Sequence, residues 1–157
     1  MDADTFDESD LFGVVQQSGA RALLFGRRAL ILLGAPVLTA DYDFWLHIDD
    51  IERFNAAFDA DGWAADRSPA EARAQGRYRL ENGHLIDVLV ARVVPTVTGE
   101  RLAFDDLWAR RKQRSVGGAL VSTPSVKDLI LTKRFASRAK DAQDIAWLEE
   151  LVKANVE

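Results

Sequence analysis

The sequence has no cysteine, one methionine, two histidines and four prolines in 157 residues. Without cysteine there can be no disulfide framework, no thiolate metal site and no Cys nucleophile. With only His47 and His84 available, a zinc site would have to rely mainly on carboxylates. Long apolar runs are missing as well: the longest, residues 29 to 33, is far short of the roughly 20 residues that span a bilayer. The first ten residues are acidic (Asp2, Asp4, Asp7, Glu8, Asp10) and no apolar stretch follows a basic one, so no signal peptide is read. The chain is expected to be cytoplasmic, with no membrane partner. Gly-x-Ser-x-Gly, Gly-x-Gly-x-x-Gly and Walker A patterns are also absent, which removes serine-hydrolase, Rossmann and P-loop readings.

The length amounts to about one domain. A single domain over residues 1–157 is therefore expected, with residues 1–8 flexible. The net charge of −5 argues against a general nucleic-acid coat, and no DNA partner is predicted. That charge is uneven. Residues 1–100 carry 9 Lys or Arg against 17 Asp or Glu, whereas residues 101–157 carry 11 against 8. The later segment, with Arg110, Arg111, Lys112, Arg114, Lys127, Lys133, Arg134, Arg138 and Lys140, is a candidate for holding phosphate; a solvated helical face is the other reading of the same residues.

What the sequence does contain is concentrated in Thr39-Ala40-Asp41-Tyr42-Asp43-Phe44-Trp45-Leu46-His47-Ile48. Tyr42, Phe44, Leu46 and Ile48 alternate as an apolar face, so the segment reads as a strand with Asp41 and Asp43 on its opposite face, their Cα atoms roughly 7 Å apart. Two carboxylates so placed invite Mg²⁺ or a neighbouring Lys or Arg, because an uncompensated pair beside a core is costly. On the same face Trp45 is placed where a base could stack, packing being its simpler reading, and His47 where it could hydrogen-bond; an end-of-strand position, partly exposed, is the plainer reading of His47.

Periodicity and punctuation give the other elements. A helix is predicted over 9–17, ended by Gly19, then a strand over 21–25 and a helix over 27–33 opened by Gly26; a single helix over 20–33 competes. Asp49 and Glu52 form a capping-box-like start for a helix with Ile51, Phe54 and Phe58 on one stripe, closed by Gly62. Ser68-Pro69 opens a short helix to about Gln75. Asn82-Gly83 joins Arg77–Glu81 to a β-rich run over 84–93, the strongest short-range hairpin signal. Asp87 lies inside that second run, either as a charge at a sheet edge or as a third carboxylate aimed at the point Asp41 and Asp43 face. Residues 104–114 read as helix and 119–122 as strand. Ser125 with Asp128 caps a helix to about Ser137, whose stripe of Val126, Leu129 and Ile130 continues to Lys133. A last helix over 140–152 carries Asp141 and Asp144 on its inward side. Lys133 then either closes a salt bridge with Asp144 or points at a substrate phosphate while Asp141 or Asp144 orients it.

In this order the elements resemble a nucleotidyltransferase-fold protein: a Gly turn opening a short helix, Thr-x-Asp-x-Asp on a strand, a third Asp on a later strand, and a Lys-bearing helix followed by Arg-x-Lys-Asp-x-x-Asp. The resemblance covers about residues 20–150 and is closest to the minimal bacterial group that includes the nucleotidyltransferase toxins of abortive-infection systems. It implies an α/β (α+β) fold with a small mixed sheet flanked by helices, Mg²⁺ as cofactor, and a nucleoside triphosphate such as ATP as substrate. Residue by residue it implies that Asp41, Asp43 and Asp87 bind metal, Asp87 activating the attacking hydroxyl; that Gly26 lies against the nucleotide phosphates; and that Lys133 and Arg138 belong to the phosphate side. Arg27 stands where Gly or Ser is expected in the turn, so Arg27 or Arg28 is the candidate to supply charge there. The acceptor expected is a hydroxyl of a protein, an RNA or a small molecule. The alternative is a non-catalytic binding protein of a toxin-antitoxin or similar pair.

Overall fold

A computed structural model describes residues 7–136 and 138–156. Seven α-helices and nine strands follow one another as α1 (Glu8–Ser18), β1 (Ala22–Phe25), α2 (Gly26–Leu32), β2 (Tyr42–Leu46), α3 (Ile51–Ala60), β3 (Ala64–Ala65), α4 (Pro69–Gln75), β4 (Arg77–Glu81), β5 (Leu85–Leu89), β6 (Val93–Pro95), β7 (Arg101–Ala103), α5 (Phe104–Ala109), β8 (Lys112–Val116), β9 (Ala119–Thr123), α6 (Val126–Thr132) and α7 (Ala139–Lys153) among the described residues. Five strands form a mixed sheet in the order β1-β2-β5-β4-β3. Only β2 and β5 run parallel; the other neighbours are antiparallel. The fold is thus the α+β arrangement expected, a mixed sheet flanked by helices.

The alternation read along β2 places Tyr42, Phe44 and Leu46 in the main core with Leu11 and Phe12 of α1 and Ile51, Phe54 and Phe58 of α3. Edge-on ring contacts from Phe12 to Tyr42 and Phe44, and from Phe44 to Phe54, lock these layers. The opposite sheet face carries a second, smaller core, in which Leu23 and Trp45 pack under Leu102, Phe104 and Leu107. That cover is incomplete, and the uncovered part of the face holds Asp43 and Asp87.

Several local expectations hold for identifiable reasons. Gly19 ends α1 in a left-handed conformation (φ 67°). Ser68 and Glu71 make a reciprocal capping box with Pro69 at the first turn of α4, and Ser125 Oγ accepts from the Asp128 N–H at 3.2 Å. The single-helix alternative over 20–33 does not occur, since Ala22–Phe25 pairs antiparallel with β2.

Other expectations are corrected. Residues 104–114 are not one helix: α5 stops at Ala109 and Lys112–Val116 pairs with β9 as a hairpin turned by Gly117 and Gly118, both at positive φ. The run over 84–93 breaks after Leu89, where the Val90 and Ala91 N–H groups both donate to the Gly76 carbonyl at 2.8 and 3.0 Å. No capping box forms at Asp49 and Glu52. Asp50 instead accepts both Nε and Nη2 of Arg21, at 2.8 and 2.9 Å, and Glu52 accepts Arg73. The helix from Val126 ends at Thr132, and Ser137, its expected limit, lies outside the described residues, as do residues 1–6. No helix among the described residues is long and apolar enough to cross a membrane.

Candidate functional site

Parallel pairing of β2 with β5 sets Asp43 directly against Asp87. Neighbouring strands are about 4.8 Å apart, so the two carboxylates leave the sheet side by side on one face. Asp43 is half-buried, and Asp87 is nearly half exposed with its Oδ1 accepting from Arg79 Nε at 2.9 Å. Asp41 is exposed in the segment just before β2, where its N–H donates to Thr39 Oγ1 at 3.1 Å. Burial, then the charges of Asp87 and Asp41, raise the Asp43 carboxyl from its ordinary 3.8 to about 6, although Lys133 and Arg138 pull the other way.

The backbone at Gly26 is pressed against this carboxylate. Gly26 has φ 69°, and a Cβ there would lie 2.5 Å from Asp43 Oδ2. Both constraints demand glycine: the conformation disfavours an L side chain, and the space belongs to Asp43.

A buried ionic network forms the facing wall. Lys133 Nζ lies 2.9 Å from Asp144 Oδ2 and 3.8 Å from Asp141 Oδ1. Asp144 also accepts Nε and Nη2 of Arg27, at 3.1 and 3.3 Å, and Asp141 accepts Nε and Nη2 of Arg138, at 2.8 and 3.2 Å. All three residues Lys133, Asp141 and Asp144 are buried. Burial by itself would raise the Asp144 carboxyl, but hydrogen bonds from Lys133 and Arg27 outweigh it and hold the group below the usual carboxylate range. The Asp141 hydrogen bonds raise Arg138 above its ordinary value. Three cations on two anions leave this wall one positive charge in excess, opposite the Asp43 and Asp87 pair.

A cavity of about 270 Å³ lies between the two walls, lined by Gly26, Arg27, Asp41, Asp43, Asp87, Lys133, Arg138 and Lys140, with Phe25, Thr39, Thr132, Phe135 and Ala136. The structure therefore brings together Asp41, Asp43, Asp87, Lys133, Gly26, Arg27 and Arg138 around one space. Arg28 is not among them. Its guanidinium sits 4.4 Å from the centre of the Tyr42 ring, donates to the Thr39 carbonyl and pairs with Glu8, so it ties α1 and α2 to the loop before β2. Lys133 closes the salt bridge with Asp144 and also lines the cavity.

Three expectations about the site change. Asp41, Asp43 and Asp87 share the cavity, but among the described residues no three His, Asp or Glu side chains converge as a ready-made metal cage; Asp41 is off the strand, and Arg79 engages Asp87. Trp45 cannot stack on a base, because it is fully buried beneath Phe104 and Phe135, with Nε1 donating to the Ala91 carbonyl at 2.9 Å. His47 is buried too, accepting the Asp49 N–H on Nδ1 and meeting Phe104 edge-on. The donor set nevertheless fits Mg²⁺: Asp43 and Asp87 offer adjacent hard oxygens on one face of the sheet, the ligand type that ion prefers.

A second cavity, of about 650 Å³, meets the first along Phe25, Asp43, Asp87, Phe135 and Ala136. Its outer wall is built by Asp66, Arg67, Arg77 and Arg79, residues that sequence reasoning did not assign to the site. The signal was present: in Arg77-Tyr78-Arg79-Leu80 the arginines alternate with core residues, and the Asn82-Gly83 hairpin sets Arg79 against Asp87 and Arg77 against Leu89.

No protein-family model matches the chain, and neither does any curated protein. Solved structures do. The crystal structure of lincomycin-bound lincosamide antibiotic adenylyltransferase LnuA superposes with TM-score 0.62 at 13% identity, covering 93% of this chain and 98% of that one. The solution structure of the antibiotic-resistance factor ANT(2'')-Ia does so with TM-score 0.61 at 10% identity, covering 95% and 88%. This chain has the nucleotidyltransferase fold.

Proposed function

We propose that the protein is a Mg²⁺-dependent nucleotidyltransferase that moves a nucleoside monophosphate from a triphosphate, ATP being the first to test, onto a hydroxyl of a small molecule. The observation that carries this reading is the Asp43 and Asp87 pair on adjacent parallel strands, with the Gly26 backbone against Asp43 and the buried Lys133 and the more exposed Arg138 facing it. The low-identity likeness to a lincosamide antibiotic adenylyltransferase and to an antibiotic-resistance factor supports the small-molecule acceptor over a protein or RNA.

Nucleotidyl transfer puts negative charge on the phosphoryl oxygens and on the departing pyrophosphate. Mg²⁺, held by Asp43 and Asp87 with Asp41 at the rim, would neutralise part of that charge. Lys133, Arg138 and the exposed Lys140 line the opposite wall and offset the charge of the triphosphate tail. The acceptor oxygen forms a bond to the α-phosphorus, the bond from that phosphorus to the bridging oxygen breaks, and pyrophosphate leaves with the electron pair. Asp87, open to the larger cavity, accepts the hydroxyl proton.

The direct test is incubation with each α-labelled triphosphate, Mg²⁺ and a small-molecule extract. Label is expected in one product with stoichiometric pyrophosphate, and is expected to vanish with Asp43→Asn. Absence of transfer by the wild type with every nucleotide overturns the assignment. One feature favours a second reading, a non-catalytic member of a toxin-antitoxin or similar pair: the Arg27 side chain, tied to Asp144, fills the wall where the resemblance has a small residue. That reading requires no Mg·NTP binding by calorimetry, and binding that Asp43→Ala removes eliminates it.

A further inference from the structure

We infer that the larger cavity is the acceptor subsite and that it takes a small hydroxyl compound bearing a phosphate or carboxylate group. This rests on the nucleotidyltransferase reading above, and it adds the acceptor's charge. Position comes first. The cavity is lined by Asp43 and Asp87 but by neither Lys133 nor Arg138, so a hydroxyl presented from it meets Asp87 without crossing the phosphate side. Its volume of about 650 Å³ lies within the range of roughly 300–1,000 Å³ typical of small-molecule sites.

Charge decides the class. Apart from Asp43 and Asp87, the ionised groups on the lining are Arg67, Arg77, Arg79 and Asp66. Asp66 Oδ1 is taken by the Arg79 N–H at 2.7 Å, and Arg79 Nε by Asp87. Arg67 donates through Nη1 to the Arg77 carbonyl at 2.6 Å. Among the described residues neither Arg67 nor Arg77 has a carboxylate partner within salt-bridge distance. Two guanidinium forks therefore frame the rim without a salt bridge to a carboxylate among the described residues, a donor geometry that matches phosphate or carboxylate in bidentate fashion. Leu89, Val94 and Phe135 supply apolar wall for a carbon skeleton. A polycationic acceptor would meet like charge at the entrance, which costs affinity and selects against it.

The test has a binding arm that does not depend on catalysis. Ribose 5-phosphate, gluconate, ribose and glucosamine are titrated by calorimetry into the full chain, wild type and Arg77→Gln. Ribose 5-phosphate, gluconate or both are expected to bind at least tenfold tighter than ribose, with glucosamine weakest, and Arg77→Gln is expected to remove that advantage while leaving the melting temperature in place. The phosphate and carboxylate arms separate the two anion sources. Equal binding of all four compounds, strongest binding of glucosamine, or an anion preference that survives both Arg77→Gln and Arg67→Gln overturns the inference. Label transfer from the α-labelled triphosphate is read separately on the same panel. Anion binding with no transfer to any compound, and none in extract, counts against the enzyme reading alone, whereas transfer in extract with no anion preference counts against the acceptor class alone.

Discussion

At Asp43 the fold holds a carboxylate where its charge is unfavourable. Burial and two acidic neighbours raise its carboxyl from 3.8 to about 6. Between those values the folded protein keeps the proton and the unfolded chain has lost it, so the metal-free protein loses stability as pH rises through that window, by something on the order of 2–3 kcal/mol. Asp43→Asn does not titrate. Thermal melts at pH 4 and pH 8 without metal are expected to show the variant gaining on wild type by roughly 5–10 °C at the higher pH, and a difference unchanged between the two pH values contradicts the assignment. At pH 8, added Mg²⁺ is expected to raise the wild-type melting temperature and leave the variant's unmoved. Gly26 makes the second residue-scale prediction. In Gly26→Ala the new Cβ takes the space of Asp43 Oδ2, and the left-handed backbone costs about 1–2 kcal/mol. Displacing Asp43 is expected to lower kcat at least a hundredfold, with the fold intact by circular dichroism; near-wild-type turnover would show that Asp43 can move aside without loss.

Elements carry the site through their ends. Arg27 near the start of α2, Lys133 at the end of α6, and Asp141 and Asp144 in the first turns of α7 form one buried network. Asp144→Ala would leave Lys133 without its nearest anion and is expected to cost about 3–5 kcal/mol in urea unfolding. The double change Asp144→Leu with Lys133→Met removes the buried pair altogether and is expected to recover most of that stability while label transfer stays lost. A double variant as unstable as the sum of its single changes would mean that packing, rather than charge, holds these helices. The same scale shows what was legible in the sequence. Elements with chemical punctuation are placed correctly at their starts, α4 from Ser68-Pro69, the β4–β5 hairpin from Asn82-Gly83 and α6 from Ser125, whereas α6 and β5 end four or five residues before their expected limits. The β8 strand is hard to read because Arg110 to Arg114 is basic and aperiodic, and only the Gly117-Gly118 turn marks its hairpin. Strands β6 and β7 are three residues each, too short to show a period, and form through their mutual pairing.

Across the whole molecule the sheet is covered on one face by a large core and on the other by a small one, and the candidate site is the uncovered part of the second face. Aspartates 41, 43 and 87 could be read from alternation and order, but their setting could not. It depends on Leu102, Phe104 and Leu107, distant in sequence, closing over Leu23 and Trp45, a cover that bears out packing, the simpler of the two readings of Trp45. Phe135 stands at the edge of this cover. Its ring meets Trp45 at 5.7 Å and Phe25 at 6.3 Å between centres, and it lines both cavities where they meet. An enzyme of the proposed kind must bring an acceptor hydroxyl to the α-phosphorus while denying that position to water. Phe135→Ala opens the apolar boundary between the cavities at a stability cost of about 1–3 kcal/mol for a partly buried ring. Water is then expected to compete with the acceptor, so that nucleoside monophosphate released by hydrolysis rises at least fivefold relative to transferred label. Hydrogen exchange of the Trp45 indole N–H, bonded to the Ala91 carbonyl, is expected to quicken in the same variant. If exchange quickens while the ratio of hydrolysis to transfer stays at the wild-type value, Phe135 shields the small core only, and water must be excluded from the transfer step by the acceptor itself filling the larger cavity.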